Sequence, residues 1–350
     1  MKIGLVDADL LDGGTRFPNL ALMKLSGYYK RLGHTVELLD YYDPDIEKVF
    51  VSKVFSKSSV PGWVNFYTDA TFGGTGFDLY NAPRLSDDIE HTFPDYALYD
   101  DFIAKRYDKR VARRFFNEYY TDSSIGFTTR GCIRGCSFCV NRDKRRVEKW
   151  SSVSEFYDPT RKYVVLLDDN ILAFPDWERV FDDLDATRKA VRFIQGLDVR
   201  LMNKRKAERL SELRYHRSVC FAFDNIADRY SIERGLSLYR SECECKQTLA
   251  YVLVGFYKSG EEELRDALER IDVLTRYRVD PYVMKHERVE KDVYSKIYTE
   301  LARWANQPVY RRATFGEFFE KNASKKAKAQ AETIPSRLRS RLFRTLRFSY

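Results

Sequence analysis

The stretch TTRGCIRGCSFCVNRDK, Thr128 to Lys144, packs three of the chain's six cysteines into eight residues. Cys132, Cys136 and Cys139 follow at spacings of four and then three, between a hydrophobic stretch and a basic one. A chain of 350 residues with six cysteines is no disulfide scaffold, and clustering in one loop points to metal or redox chemistry in a reducing compartment. Three readings compete. A zinc site wants a fourth ligand and more often shows paired CxxC motifs, and no second pair or nearby His supplies one. A disulfide leaves one thiol over. A [4Fe–4S] cluster held by three thiolates keeps one iron open to a substrate or cofactor.

The position of the loop decides the fold. SIGFTTR, from Ser124, reads as a strand running straight into it. Further strands are expected at KYVVLLDDN (from Lys162), AVRFIQGLDVR (from Ala190), SVCFAFDN (from Ser218), TLAYVLVGF (from Thr248) and VDPYVMK (from Val279). Helical patterns alternate with them: PDWERVFDDLDATRK, NKRKAERLSELRYH, ADRYSIERGLSLYRSE, GEEELRDALERIDVLTRY and VEKDVYSKIYTELARWAN. Such a rhythm predicts a partial (β/α)6 TIM-type barrel, with its functional groups at the C-terminal strand ends. The cysteine loop follows the first of those ends.

Ahead of the barrel, KIGLVDADL, NLALMKLSGYYKRLG and HTVELLDYY read as a βαβ unit, with Leu22, Leu25, Tyr29 and Leu32 on one helical stripe. KVFVSKVF is a third strand; Ser56 to Tyr99 offers only short pieces. The fold class is therefore α/β, divided as a Rossmann-like domain over 1–99, a helical connector over 100–122, the barrel over 123–310 and a basic tail over 311–350.

The motif Cys132-x-x-x-Cys136-x-x-Cys139, with Phe138 before the last Cys and TTRG before the first, resembles the radical S-adenosylmethionine (radical SAM) superfamily. The resemblance implies a [4Fe–4S] cluster whose open iron chelates the amino and carboxylate groups of S-adenosylmethionine (SAM). Reductive cleavage there gives methionine and a 5′-deoxyadenosyl radical, which attacks an unactivated C–H bond. It also implies an external electron donor such as flavodoxin or ferredoxin.

By position, the second-strand end Asp168, Asp169 and Asn170 stands where superfamily members bind the SAM amino group, although the usual Gly-Gly-Glu is absent; a helix N-cap is the competing role. Gln195, Asp198 and Arg200 end the third strand and reach toward ribose and carboxylate, unless Arg200 simply pairs with Asp198. Asp224 and Asn225 end the fourth, and Gly255 in VLVGF fits a close approach to adenine. His286 is the candidate for moving a proton. Cys220 reads as core; Cys243 and Cys245 are too few for a second cluster.

The N-terminal pieces, with GGTGFD (Gly73, Gly74, Gly76) and PDYALYD, resemble in order and spacing the cobalamin-binding domain that precedes many radical SAM barrels. Cobalamin is thus a candidate cofactor and methyl transfer the leading subclass. The Asp-x-His-x-x-Gly motif that places a His under cobalt is missing. LARWANQPVYRRATFGEFFE resembles the ending of uncharacterised proteins with this domain pair.

Composition, 44% hydrophobic and 32% charged, is that of a soluble globular protein. The most apolar run, LAYVLVGFY, is too short for a membrane helix, and MKIGLVDADLL lacks a signal-peptide cleavage pattern. The expectation is a cytoplasmic, not a transmembrane, protein. Residues 311–350 hold eleven Lys/Arg against three Asp/Glu, which accounts for the whole formal charge of +8. Leu338, Leu342 and Leu346, ringed by Arg337, Arg339, Arg341, Arg344 and Arg347, form a basic amphipathic pattern after Pro335. It suits nucleic acid phosphates, an anionic membrane surface or a groove on the barrel. Two further readings follow: a radical SAM enzyme that modifies RNA or a nucleoside, and a non-catalytic Fe–S or zinc protein that binds nucleic acid.

Overall fold

A computed structural model describes residues 1–15, 17–106, 117–244 and 246–334, together with 336 and 339. It is a mixed α/β chain built on parallel sheets. The first sheet has strands β1 (Lys2–Asp7), β2 (Thr35–Leu38), β3 (Lys48–Ser52) and β4 (Ala70–Gly73) in the order β2-β1-β3-β4, all parallel. Helices α1 (Ala8–Asp12) and α2 (Leu20–Arg31) follow β1. Asn19 starts α2, its side chain accepting from Leu22 N at 3.2 Å. Leu22 and Leu25 are buried as the stripe requires; Leu32, at the C-cap, is exposed. β4 and the short helix α3 (Asp87–Glu90) lie in a stretch whose sequence offers no clear period.

The second body begins after α4 (Asp100–Arg106) and a π-helical turn, Asn117–Thr121. Strands β5 (Ser123–Gly126), β8 (Tyr163–Leu166) and β9 (Ala190–Phe193) form one parallel sheet. Strands β10 (Val219–Ala222), β11 (Thr248–Val254) and β12 (Asp280–Lys285) form another. A parallel bridge between Leu197 and Phe221, with Leu197 N donating to Cys220 O at 2.7 Å, joins the two into a six-stranded arc. Helices α5 (Trp177–Ala186), α6 (Lys204–Glu212), α7 (Arg229–Glu242), α8 (Gly260–Arg276) and α9 (Ser295–Ala305) follow β8 to β12 in turn. The connection after β5 differs from the expected βα unit. The strand read as SIGFTTR breaks after Gly126, and a hairpin of β6 (Thr129–Gly131) and β7 (Val147–Lys149) carries the cysteine loop in place of a helix.

Alternation along the strands sorts their side chains. Val164, Leu166, Val191, Phe193, Phe221, Val252 and Val254 join the largest core with Phe181, Leu210, Leu236 and Ile271 from the helices. Ile125 and Val165 form a separate small cluster with Tyr119, against which Phe17 of the N-terminal region packs. The two bodies are clamped: Tyr96 OH donates to Phe156 O at 2.7 Å and accepts from Ile125 N at 2.9 Å, which caps the outer edge of β5.

Residues 311–334, read from the sequence as the start of the tail, are coat rather than tail. Helices α10 (Phe315–Asn322) and α11 (Lys325–Glu332) bury Phe315, Phe318, Phe319, Ala327 and Ala331 in the largest core. The amphipathic pattern at Leu338, Leu342 and Leu346 lies outside the described residues. Among the described residues no helix is long and apolar enough to cross a membrane.

Candidate metal centre

The cysteine loop hangs from one buried carboxylate. Asp168, just past β8, accepts from Thr128 N (3.0 Å), Thr128 Oγ1 (2.5 Å), Thr129 N (2.7 Å) and Thr129 Oγ1 (2.7 Å). Burial pushes its carboxyl above the ordinary range against the pull of those donors. Four donors from Thr128 and Thr129 thus make Asp168 the anchor of the loop's base. Asp169 does the same one residue on, accepting from Gly131 N at 2.7 Å. Gly131 has φ +93°, and a Cβ there would lie 2.3 Å from Arg146 O, so only glycine lets the hairpin close.

Cys132, Cys136 and Cys139 are free and half-buried. Cys132 Sγ accepts from Arg134 N and from Asn170 Nδ2, both at 3.3 Å; Cys139 Sγ accepts from Asn141 N at 3.4 Å. Burial pushes the Cys136 thiol up, and the Arg200 guanidinium pulls it down. Burial also raises Cys139, with the Asn141 N–H opposing. Cys136 lies in the field of Cys139 and Cys132, Cys139 in that of Cys132, and both in that of Asp224. Among the described residues no three His, Cys, Asp or Glu side chains converge to hold a single metal ion. Zinc needs ligands about 2.3 Å from one point, whereas each thiolate of an iron–sulfur cluster binds its own iron.

Around the thiols runs a polar rim. Asp198 accepts from Arg200 Nε at 2.7 Å and Arg134 Nε at 2.8 Å, and Arg200 reaches Asp228 at 2.7 Å. Burial works to raise the Asp198 carboxyl, but the two guanidiniums outweigh it and hold it below the ordinary range. Arg200 is thus engaged with two carboxylates rather than free for a third. Asn170, only 2% exposed, points Nδ2 at Cys132 Sγ (3.3 Å) and Asp198 (3.4 Å), while its Oδ1 is buried without a partner. A buried acceptor left unmet costs about 1–3 kcal/mol unless something supplies a proton donor. Asp224 accepts from Leu253 N at 2.9 Å, and burial raises its carboxyl. Phe138 packs edge-on against Phe256 (5.5 Å) and Tyr257 (6.0 Å), tying the cysteine loop to the end of β11. Burial, then the nearby Cys136, pushes the Tyr257 phenol up to about 12.

Other expected site residues have different work. Gln195 is exposed at the rim. Asn225 caps a 3-10 turn, accepting from Ala227 N at 3.0 Å. Gly255 has φ +79°, and a Cβ would come within 2.0 Å of Val289 Cγ2, so backbone conformation and packing both favour glycine there. His286 caps another turn, Nδ1 accepting from Arg288 N at 3.3 Å, and its ring lies on Phe256 at 4.8 Å. Burial lowers its pKa. It lines a cleft of about 560 Å³ with Lys57 and Lys296, on the β12 side. Cys220 and Cys243 are buried; Cys245 lies outside the described residues.

Two positions that sequence reasoning misses hold the centre together. Arg134 sits inside the motif itself. Arg270, 1% exposed, pairs with Glu263 at 2.7 Å and donates to the carbonyls of Phe223 (3.2 Å), Asp224 (2.8 Å) and Leu253 (2.8 Å). Its signal is a lone cation between Leu268 and Ile271 on the apolar face of α8.

A corrinoid would have to meet the C-terminal edge of the N-terminal sheet. There Asp7 accepts from Tyr99 OH (2.8 Å) and Leu10 N (3.1 Å). Asn19 donates to Tyr99 OH (2.9 Å) and Ser52 Oγ (2.8 Å). Asp9 accepts from Val54 N (2.6 Å), Phe55 N (3.2 Å) and Ser58 Oγ (2.6 Å). A Cβ on Gly74 would lie 2.3 Å from Lys53 O and one on Gly76 2.8 Å from Phe55 O, so the glycine turn packs on its own chain. These groups are turned to one another and do not fit a corrinoid at this edge.

No protein-family model matches the chain, and no curated protein matches it. Among solved structures, the cobalamin-dependent S-adenosylmethionine radical enzyme OxsB, with aqua-cobalamin and S-adenosylmethionine or with aqua-cobalamin alone, is similar at 11% identity and a TM-score of 0.37. The likeness covers 92% of this chain and 56% of OxsB, so the chain spans little more than half of that protein. A likeness so distant decides neither activity nor cofactor.

Proposed function

We propose that the chain is a radical SAM enzyme that modifies an unactivated C–H position, with Cys132, Cys136 and Cys139 holding a [4Fe–4S] cluster. The observation that carries this is the neighbourhood of Cys132: three half-buried thiols on one turn, with the unpartnered Oδ1 of Asn170 beside them. When bound, a cluster with one open iron supplies an electron and a coordination position for the amino and carboxylate groups of SAM.

The chain's own residues do the rest. Asp168 and Asp169 fix the backbone from Thr128 to Gly131, so the loop starts from a rigid base. N–H groups of Arg134 and Asn141 stabilise thiolate charge on Cys132 and Cys139. Asn170 Oδ1 accepts an N–H from the bound cofactor. Asp198 is locked by Arg134 and Arg200 and orders the rim, and Asp224 offers a further acceptor for a hydroxyl. Phe138, Phe256 and Tyr257 pack edge-on against one another and hold the loop to the end of β11. The polar groups at the N-terminal edge are paired with one another, which favours C–H modification without a corrinoid.

The test is anaerobic purification, reconstitution with iron and sulfide, and reduction with SAM present. Mass spectrometry then looks for 5′-deoxyadenosine and S-adenosylhomocysteine, against the Cys132→Ala, Cys136→Ala, Cys139→Ala variant. Cysteine-dependent 5′-deoxyadenosine is expected. Stoichiometric zinc that iron cannot replace would sink the reading.

A further inference from the structure

The approach to the cysteine motif, Thr128-Thr129-Arg130-Gly131, carries a cation that neither the fold nor the metal centre accounts for. Arg130 stands on β6, its guanidinium over the Phe127 ring at 3.4 Å and 5.4 Å from the Trp150 ring. Its Nε is buried without a hydrogen-bond partner, and the side chain makes no hydrogen bond or ion pair among the described residues. The carboxylates whose charge bears on it are Glu90, Asp169 and Asp168, and each is engaged elsewhere. Glu90 accepts from Lys24 Nζ at 2.6 Å and from Trp150 Nε1 at 3.0 Å, while Asp168 and Asp169 hold the base of the loop. Two exposed cations stand nearby, Arg84 from the N-terminal region and Lys144 from the cysteine turn. The charge of Arg84 acts on both Arg130 and Lys144, and that of Arg130 acts on Lys144. Neither Arg84 nor Lys144 makes an ion pair among the described residues.

A buried guanidinium N–H left unmet costs stability until an acceptor fills it. With the ring of Phe127 against its face, Arg130 takes a partner at its N–H edge, a planar fork that matches two oxygens of a carboxylate or phosphate. The place lies beside the thiols: the Asp169 charge that acts on Arg130 also acts on Cys139, and Cys139 acts on Lys144. We propose that Arg130, with Arg84 and Lys144 beside it, binds the terminal oxyanion, carboxylate or phosphate, of a small-molecule substrate. The substrate is then an organic acid or a phosphate monoester, held by its charged end at the seam between the N-terminal region and the cysteine turn. Taking that anion as the substrate's handle rests on the radical SAM reading above, whereas the anion site itself rests on Arg130. Nucleic acid is the rival anion. Its backbone phosphates suit the exposed Arg84 and Lys144 rather than the buried Nε of Arg130.

The experiment follows thermal melting of the full, iron-free chain as sodium phosphate or sodium succinate rises, against sodium chloride at equal ionic strength. An anion bound to the folded state raises the midpoint in a saturating way, while exclusion of phosphate from protein surfaces raises every variant alike. We expect a saturable rise in the wild type, and the stronger of the two responses tells a phosphate monoester from a carboxylic acid. Arg130→Lys keeps the charge but loses the fork, and should weaken that anion about tenfold or more. Arg84→Gln with Lys144→Gln should weaken it less, and Lys325→Gln with Lys326→Gln, exposed on α11, should leave it unchanged. If Arg130→Lys does not fold, the Arg84 and Lys144 pair carries the test. A merely structural Arg130 would lower the midpoint of its variant and leave the anion-dependent rise intact, which overturns the proposal. So does the lack of a saturable rise with either anion. So does a rise with a uridine oligonucleotide that Arg84→Gln, Lys144→Gln abolishes and Arg130→Lys leaves in place. Melting of the iron-free chain reads the anion site alone, and 5′-deoxyadenosine formation reads the metal centre, so either can fail without the other.

Discussion

Asn306 and Val283 exchange two hydrogen bonds across the free side of β12. Val283 N donates to Asn306 Oδ1 at 2.6 Å, and Asn306 Nδ2 donates to Val283 O at 3.0 Å. The side chain just past α9 thus behaves as one residue of a missing neighbour strand. Pro281 has no N–H to offer on that edge and Lys285 carries a charge. With Tyr96 capping β5 at the other end, both edges of the arc are closed by side chains, and six strands suffice without a seventh.

Asn306→Ala is therefore expected to lower stability by about 1 kcal/mol and to promote self-association through the uncovered edge. Urea titration and size-exclusion chromatography at rising concentration check both. A variant as stable and as monomeric as the wild type would mean that the edge needs no cap.

Asp7 sets a pH dependence. Burial pushes its carboxyl up to about 6 from an ordinary value of 3.8, with Tyr99 OH and Leu10 N pulling the other way. The folded state then holds a proton that the unfolded state has released between about pH 4 and 6, so stability falls as pH rises through that window. The loss reaches about 3 kcal/mol at most, because a tenfold change in proton affinity is worth about 1.4 kcal/mol. Urea titrations of wild type and Asp7→Asn across that range isolate it: the wild type loses ground to the variant as pH rises. A constant difference refutes the account.

The buried pair Arg270–Glu263 bears on the site from below. Removing the cation alone leaves a carboxylate buried without its partner, and the carbonyls ending β10 and β11 lose their donor. Arg270→Leu is expected to lose about 3–5 kcal/mol, and Arg270→Leu with Glu263→Leu markedly less. Thermal melts of both variants decide. Equal losses would show that the carbonyl contacts, not the charge pair, carry the effect.

How much of this is legible in the sequence follows from the range of each contact. The cysteine spacing is local, and the alternation of apolar strands with amphipathic helices is read over short windows, so the loop and the arc are both visible. Asp168 is visible as a strand-end acid, but its role depends on Thr128 and Thr129, forty positions upstream, which local pattern does not reach. Gly255 stands out, but a glycine demanded by Val289 looks the same in sequence as one demanded by a ligand. Arg200 shows the same limit: its spacing from Asp198 marks a pair, while the second carboxylate, Asp228, comes from a different strand end. Charge assigns residues 311–334 to the tail, yet Phe315, Phe318 and Phe319 are the better guide, since three buried aromatics outweigh a few exposed lysines.

Gly255 can be separated from a ligand role directly. Gly255→Ala adds a methyl where φ is +79° and Val289 Cγ2 is 2.0 Å away, so it should destabilise by more than about 1–2 kcal/mol, the left-handed penalty alone. Adding Val289→Ala removes the clash and should recover part of the loss, leaving the backbone strain. If thermal melts show no recovery, Val289 is not what the glycine accommodates.

Asn170 offers the sharpest test of the site, because its two ends make opposite predictions. Its Nδ2 is engaged with Cys132 Sγ and Asp198, but its buried Oδ1 has no partner. An unmet acceptor lowers stability before ligand binds and contributes affinity once a ligand N–H meets it. Asn170→Ala should therefore leave the ligand-free chain nearly as stable as the wild type, because the loss of a weak N–H to sulfur contact is offset by relief of the orphan oxygen. The same change should weaken SAM binding to the reconstituted protein about tenfold or more, by about 1.4 kcal/mol per decade, with iron content unchanged. Thermal melts, iron assay and calorimetric titration with SAM read the three separately. Unchanged SAM affinity would remove Asn170 from the binding site, whereas a loss of iron would make it a support for Cys132 instead.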